Sequence, residues 1–181
     1  MQKRVAFLRG INVGGHHKVP MAELRTTLGN MGLSNVTTLL NSGNILYESR
    51  VDLPDTELSI RLEKTFGFPI PTVTRKFEEI LSIHMKDPFA GLEVTKDTRR
   101  YVSFLKEKAL VSIEFPWKSE DGSYSLLGEK NNTIFSVLDL SIGGTPKAMD
   151  SLEKIYGKDI TTRNWNTVIR IIEKARTLNW L

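Results

Sequence analysis

A chain of 181 residues, 40% hydrophobic and 25% charged, is long enough to bury a substantial core. It has no cysteine, which excludes disulfides and every thiolate mechanism and points to a reducing, cytoplasmic compartment. Its formal net charge of +4 is spread evenly, 11 basic against 9 acidic residues through Ala90 and 14 against 12 beyond, so no basic arm marks a nucleic-acid binder, and no apolar run approaches the roughly 20 residues that cross a bilayer.

Residues 4–8 read as a strand. Their apolar run Val5-Ala6-Phe7-Leu8 stops at Arg9, too short for an export signal. The polar, glycine-rich stretch from Gly10 to Lys18 breaks the strand. A helix follows, with Pro20 at its start and Met21, Leu24, Leu28 and Met31 on one face, and Gly32 ends it. Residues 35–40 and 44–49 form two β-prone runs joined at Asn41-Ser42-Gly43-Asn44, the composition of a hairpin turn. A second helix begins near Pro54 and Asp55, stripes Leu58, Leu62 and Phe66, and stops at Gly67 before a strand at 70–75. The order βαββαβ is that of a ferredoxin-like split βαβ unit.

Residues 76–86 predict a connecting helix with Phe77, Ile80, Leu81 and His84 on one side, ended by Asp87-Pro88. Beyond it, Val102-Ser103-Phe104-Leu105-Lys106 echoes Val5-Ala6-Phe7-Leu8-Arg9, a hint of internal duplication. Strands are expected near 111–115, 123–128 and 133–139. Thr145 is expected to cap a helix that carries Met149, Leu152 and Tyr156 inward, and a last helix over 164–177 stripes Trp165, Val168, Ile169 and Ile172. The expectation is an α+β fold: residues 1–75 a ferredoxin-like subdomain, 76–98 a connecting helix and loop, and 99–181 a second, related α+β subdomain, all in one compact body.

Three segments carry the residue types that hold anions. In Arg9-Gly10-Ile11-Asn12-Val13-Gly14-Gly15-His16-His17-Lys18, a glycine-rich loop between a strand and a helix start aims backbone N–H groups outward, with Arg9 and Lys18 on either side. It matches neither G-x-G-x-x-G nor a P-loop, and glycines that merely turn the chain explain it equally well. In a βαββαβ unit the first two strands run the same way, so this loop and the turn Asn41, Ser42, Gly43, Asn44 emerge at one end of the sheet. The third segment, Thr161-Thr162-Arg163-Asn164-Trp165-Asn166, opens the last helix, where Arg163, Asn164 and Asn166 meet the positive end of the dipole; the plainer reading makes Thr162 a cap and Arg163 solvated. His16, His17 and His84 have no metal-ligand spacing, no G-x-S-x-G elbow is present, and Asp52, Asp55 and Glu57 read as solvated carboxylates.

Taken together, Phe7-Leu8-Arg9-Gly10-Ile11-Asn12-Val13-Gly14-Gly15, Lys18-Val19-Pro20-Met21, Ser42-Gly43-Asn44, Phe66-Gly67-Phe68, Asp87-Pro88-Phe89 and Thr161-Thr162-Arg163-Asn164-Trp165-Asn166-Thr167 resemble the mainly bacterial family known as domain of unknown function 1697, in order along essentially the whole chain. The resemblance implies an α+β fold built from ferredoxin-like halves and no assigned activity, substrate or cofactor. The chain departs from the pattern at Gly144-Thr145-Pro146-Lys147, where many members have a Gly-x-Ser-Lys-like helix start.

The leading functional expectation is a site for an anionic, phosphorylated or nucleotide-like small molecule. The alternatives are a nucleic-acid-binding module using a ferredoxin-like sheet, and a homodimeric interaction scaffold. The sequence names no cofactor, reaction or ligand and leaves monomer and homodimer open.

Overall fold

β1 (Gln2–Leu8) lies in a four-stranded antiparallel sheet with β2 (Ser34–Leu39), β3 (Asn44–Ser49) and β4 (Thr72–Lys76), in the order β2-β3-β1-β4. β1 and β2 therefore run parallel with β3 between them, as the order of elements predicts. The computed structural model describes all 181 residues. Helices α1 (Met21–Asn30) and α2 (Asp55–Phe66) cover one face of this sheet, burying Leu24, Leu28, Leu58 and Leu62 against Ala6, Leu8, Ile45 and Tyr47. Each such leucine contributes roughly 1.5–3 kcal/mol. Gly67 ends α2 at a φ of 81°, the left-handed cap that its position in the sequence predicts.

α3 (Phe77–Lys86) follows β4 directly and buries Phe77 and Ile80, whereas Leu81 and His84 stay half-buried. The second sheet contains β5 (Thr98–Leu105), β6 (Trp117–Lys118), β7 (Tyr124–Lys130), β8 (Thr133–Asp139) and β9 (Ile160–Asn164), in the order β6-β7-β8-β5-β9. α4 (Thr145–Tyr156) packs on it through Ala148 and Leu152, and α5 (Trp165–Thr177) follows β9. The chain divides into two units, Met1–Met85 with Ile169–Leu181, and Lys86–Val168.

The second sheet repeats the first in register. Val5 pairs with Leu46 and Arg75, and Val102 pairs with Phe135 and Arg163. Phe7 pairs with Asn44 and Val73, and Phe104 with Thr133 and Thr161. The matched runs Val5-Ala6-Phe7-Leu8 and Val102-Ser103-Phe104-Leu105 thus hold equivalent central strands. The repeat extends to Thr74-Arg75-Lys76-Phe77 and Thr162-Arg163-Asn164-Trp165, each a last strand entering a helix through an aromatic residue. Nothing in the second sheet corresponds to α1: residues 106–116 run without a helix or strand.

The expected strand at 111–115 is therefore absent. Its ladder begins only past Pro116, which has no N–H to donate, at Trp117 and Lys118 opposite Leu126 and Ser125. Thr145 does not cap α4. Gly144 holds that position, and the Thr145 hydroxyl instead shares a hydrogen bond of 3.1 Å with Tyr101. Along α5 the buried stripe is Trp165, Val168, Ile171, Ile172 and Ala175, leaving Ile169 half-buried.

Candidate functional site

The glycine loop is ordered by its own hydrogen bonds. Gly14 and Gly15 have φ values of 60° and 80°, and the His16 N–H donates to the Val13 carbonyl at 3.1 Å. Two positive φ angles closed by that bond make a type I′ turn, which requires residues of this kind. One step out, the Asn12 N–H donates to the His17 carbonyl at 3.1 Å. His17 stacks on Phe68 with centroids 4.4 Å apart, and its Nδ1 lies 3.3 Å from the Gly10 carbonyl. The glycines thus build a turn, and neither is aimed at a partner within the protein.

Asn12 joins this loop to the hairpin. Its Nδ2 donates to the carbonyls of Val19 at 3.1 Å and Asn41 at 2.9 Å, and its Oδ1 accepts the Val19 N–H at 2.8 Å. The two loops expected at one end of the sheet meet there. Between them is an open groove of about 520 Å³ lined by Asn12, Gly15, Lys18, Asn41 and the Val19–Met21 stretch that starts α1. Pro20 is the N-cap of α1 and no side chain caps that end. Its leading N–H groups and the helix dipole therefore favour negative charge beside the groove. Lys18 and Asn41 are both exposed. Glu23 sits in the same first turn and opposes part of that field.

Ser42, Gly43 and Asn44 do not line the groove. A Cβ on Gly43 would stand 2.7 Å from Leu8 Cβ, and the Gly43 carbonyl accepts the Leu8 N–H at 2.8 Å, so this glycine lets the hairpin close on β1. Asn44 is fully buried, and its amide donates to the Leu39 carbonyl and the Ser42 hydroxyl. Arg9 donates its backbone N–H to Pro71, and Gly10 turns the chain at a φ of 76°.

Arg163, Asn164 and Asn166 belong to the other unit. Arg163 is not solvated: burial pushes its guanidinium down to about 10, so it stays charged at neutral pH. Its Nη1 donates to the Thr161 hydroxyl at 3.0 Å and the Thr162 carbonyl at 2.9 Å. Its counterpart Arg75 donates in the same way to the Thr74 carbonyl at 2.8 Å and is likewise pushed down by burial. Thr162 lies within β9 rather than at a cap. Asn164 does the capping, its Oδ1 accepting the Asn166 N–H at 3.0 Å.

Asp55 was not legible as more than a surface carboxylate. It accepts the Thr74 N–H at 3.1 Å and the Thr74 hydroxyl at 2.6 Å, while Ser59 accepts the Thr72 N–H at 3.1 Å. β4 is an edge strand, so α2 supplies acceptors for the donors that β4 turns away from β1. Arg4, inside β1, completes the cluster with bonds to Asp52 at 2.5 Å and Thr74 at 3.0 Å. Burial pushes the neighbouring Tyr47 hydroxyl up, against the opposing charge of Arg4. Arg4 is buried although it adjoins Gln2 and Lys3 at the polar start of β1, so no local pattern in the sequence marked it.

These features define an α+β protein built on a repeated antiparallel sheet, with a loop-lined groove at one sheet end. The family model described as a protein of unknown function, DUF1697, matches residues 1–116, and the chain belongs to that family. Among solved structures, it is similar to the conserved bacterial protein SP0830 from Streptococcus pneumoniae, at 27% identity over 94% of this chain and 96% of that one, with a TM-score of 0.69. No curated protein matches the chain. No helix is long and apolar enough to cross a membrane.

Proposed function

We propose that the chain binds a small anionic molecule, phosphorylated or nucleotide-like, in the groove at the start of α1. The observation that carries this reading is the convergence of Lys18, Asn41 and the amino end of α1 on one groove of about 520 Å³. That volume lies in the range of small-molecule sites. A charged hydrogen bond from Lys18 supplies about 1.5–3 kcal/mol, and the N–H groups of α1 add a dipolar contribution of up to about 1 kcal/mol. The Asn12 clasp fixes the distance between the two walls before a ligand arrives, which lowers the ordering cost of binding. Pro20 and Met21 offer an apolar surface to whatever carries the anion.

A thermal-shift screen of nucleotides, sugar phosphates and short oligonucleotides against the wild type and Lys18→Gln tests the reading. A ligand at 100 times its Kd adds about 2.7 kcal/mol, several degrees for a chain of this size. Stabilisation by a phosphorylated small molecule, lost in Lys18→Gln, is the expected result. Stabilisation by oligonucleotides alone, falling steeply with salt, replaces it with the nucleic-acid reading.

A further inference from the structure

The strand edges of this fold are treated unequally. At the β4 edge Asp55 and Ser59 accept the outward N–H groups of Thr74 and Thr72, and Arg75 covers the Thr74 carbonyl. At the β9 edge Arg163 covers the Thr162 carbonyl in the same way. β6 is only two residues long, which blunts a third edge. The remaining edge is β2. In an antiparallel ladder the residues that bond to the neighbour alternate with residues that face away. Leu8 bonds to Gly43, so the register turns Asn44 and Leu46 of β3 toward Leu39 and Thr37 and leaves the N–H and C=O groups of Val36 and Thr38 facing outward.

The β2 edge also lacks the usual deterrents. Ser34–Leu39 holds no charge and no proline, and past the irregularity between Ser34 and Thr37, with Asn35 at a φ of 52°, Thr37, Thr38 and Leu39 keep regular register against Leu46, Ile45 and Asn44. Its far end runs to Asn41, which lines the groove. Two cations flank it: Lys18 at the groove, and Arg25, whose Nη1 donates to the Thr38 hydroxyl at 2.9 Å. Glu23 is two residues from Arg25, about 200° round the helix, and so points away from this edge.

We propose that β2 accepts an added strand, the carboxyl-terminal segment of another polypeptide, lying parallel to β2 with its terminal carboxylate in the groove. The inference rests on the anion-binding reading of that groove and names its ligand class. Val36 and Thr38 supply the main-chain donors and acceptors, and Lys18 with the start of α1 receives the carboxylate. A second copy of this chain fits less well. Pairing two β2 strands about a two-fold axis would bring the Arg25 side chains, each held over Thr38, toward one another as like charges.

Fluorescence polarisation with the labelled hexapeptide Ser-Thr-Val-Thr-Ser-Val as free acid, as carboxyl-terminal amide, and as an acid N-methylated at alternate residues tests the proposal on the intact protein. The acid should bind at least about 10-fold more tightly than either derivative, since each removes a charge-assisted contact or the ladder donors. Thr38→Pro should weaken the acid by a similar factor, and Lys18→Gln should abolish the preference for acid over amide. The N-methylated peptide needs no protein variant, so a folding defect in Thr38→Pro does not decide the matter. Equal binding of the three peptides, or no binding, overturns the proposal. So does a dimer in sedimentation that Thr38→Pro converts to monomer, which would give the edge to a second copy. Inorganic phosphate is titrated in parallel: phosphate binding dependent on Lys18 without peptide binding removes this inference alone, and loss of both removes the groove as an anion site.

Discussion

Asn12 and Asn41, 29 residues apart in the chain, are joined by an amide-to-carbonyl hydrogen bond of 2.9 Å that holds the glycine loop against the β2–β3 turn. The same Asn12 side chain makes two bonds to Val19, and its backbone sits at a φ of 55°, a region asparagine tolerates better than most residues. Asn12→Ala should cost about 2 kcal/mol, a fall in Tm of roughly 4–8 °C. Calorimetry that finds no change would mean the loop is not tied down by this clasp.

The glycines separate into two kinds. Gly43→Ala adds a Cβ at 2.7 Å from Leu8 Cβ on backbone with a φ of 76°, and should cost more than about 2 kcal/mol. At Gly14 and Gly15 an added Cβ meets nothing within 4 Å, so alanine there incurs only left-handed strain, about 1–2 kcal/mol. Denaturant unfolding of the three variants checks the order.

Asp55→Ala removes the acceptor of an edge-strand N–H and should destabilise by about 1–3 kcal/mol. It also unseals β4, so the variant should self-associate more than the wild type at the same concentration, a difference that light scattering resolves.

Alkaline titration gives a further check. Burial pushes the hydroxyls of Tyr124 and Tyr156 up to about 12 and raises Tyr47 as well. Their folded values exceed the unfolded value of about 10. The neutral forms therefore contribute stability that is fully present below pH of about 10 and is lost as pH rises toward about 12. Tyrosinate absorbance should show these residues ionising late, together with unfolding. Ionisation of every tyrosine in one step near pH of about 10 would contradict the packing described.

Much of this fold was legible because its elements are strongly periodic and well punctuated. Asn44–Ser49 was expected to the residue, and Gly67 marked the end of α2. The echo of Val5-Ala6-Phe7-Leu8 in Val102-Ser103-Phe104-Leu105 gave only a hint of internal duplication; that these are equivalent central strands, and the second echo, Thr74-Arg75 in Thr162-Arg163, needed the register to be recognised. What sequence patterns do not encode is the direction a polar side chain takes. Asn44 resembled a ligand donor and is fully buried; Asp55 resembled surface and seals an edge. The pairing of Asn12 with Asn41 was foreseen only as two loops at one end of a sheet, since a hydrogen bond across 29 residues depends on tertiary placement.

The most direct test of the anion groove is a two-dimensional NMR titration of the wild type and Lys18→Gln with inorganic phosphate and with adenosine monophosphate. Saturable shifts centred on the amides of Gly15, Lys18, Met21, Ala22 and Asn41, strongly weakened in the variant, are the expected result. Shifts that are absent at millimolar ligand, or that are centred elsewhere and unaffected by Lys18→Gln, would contradict it and leave the glycine loop as a turn that serves the fold alone.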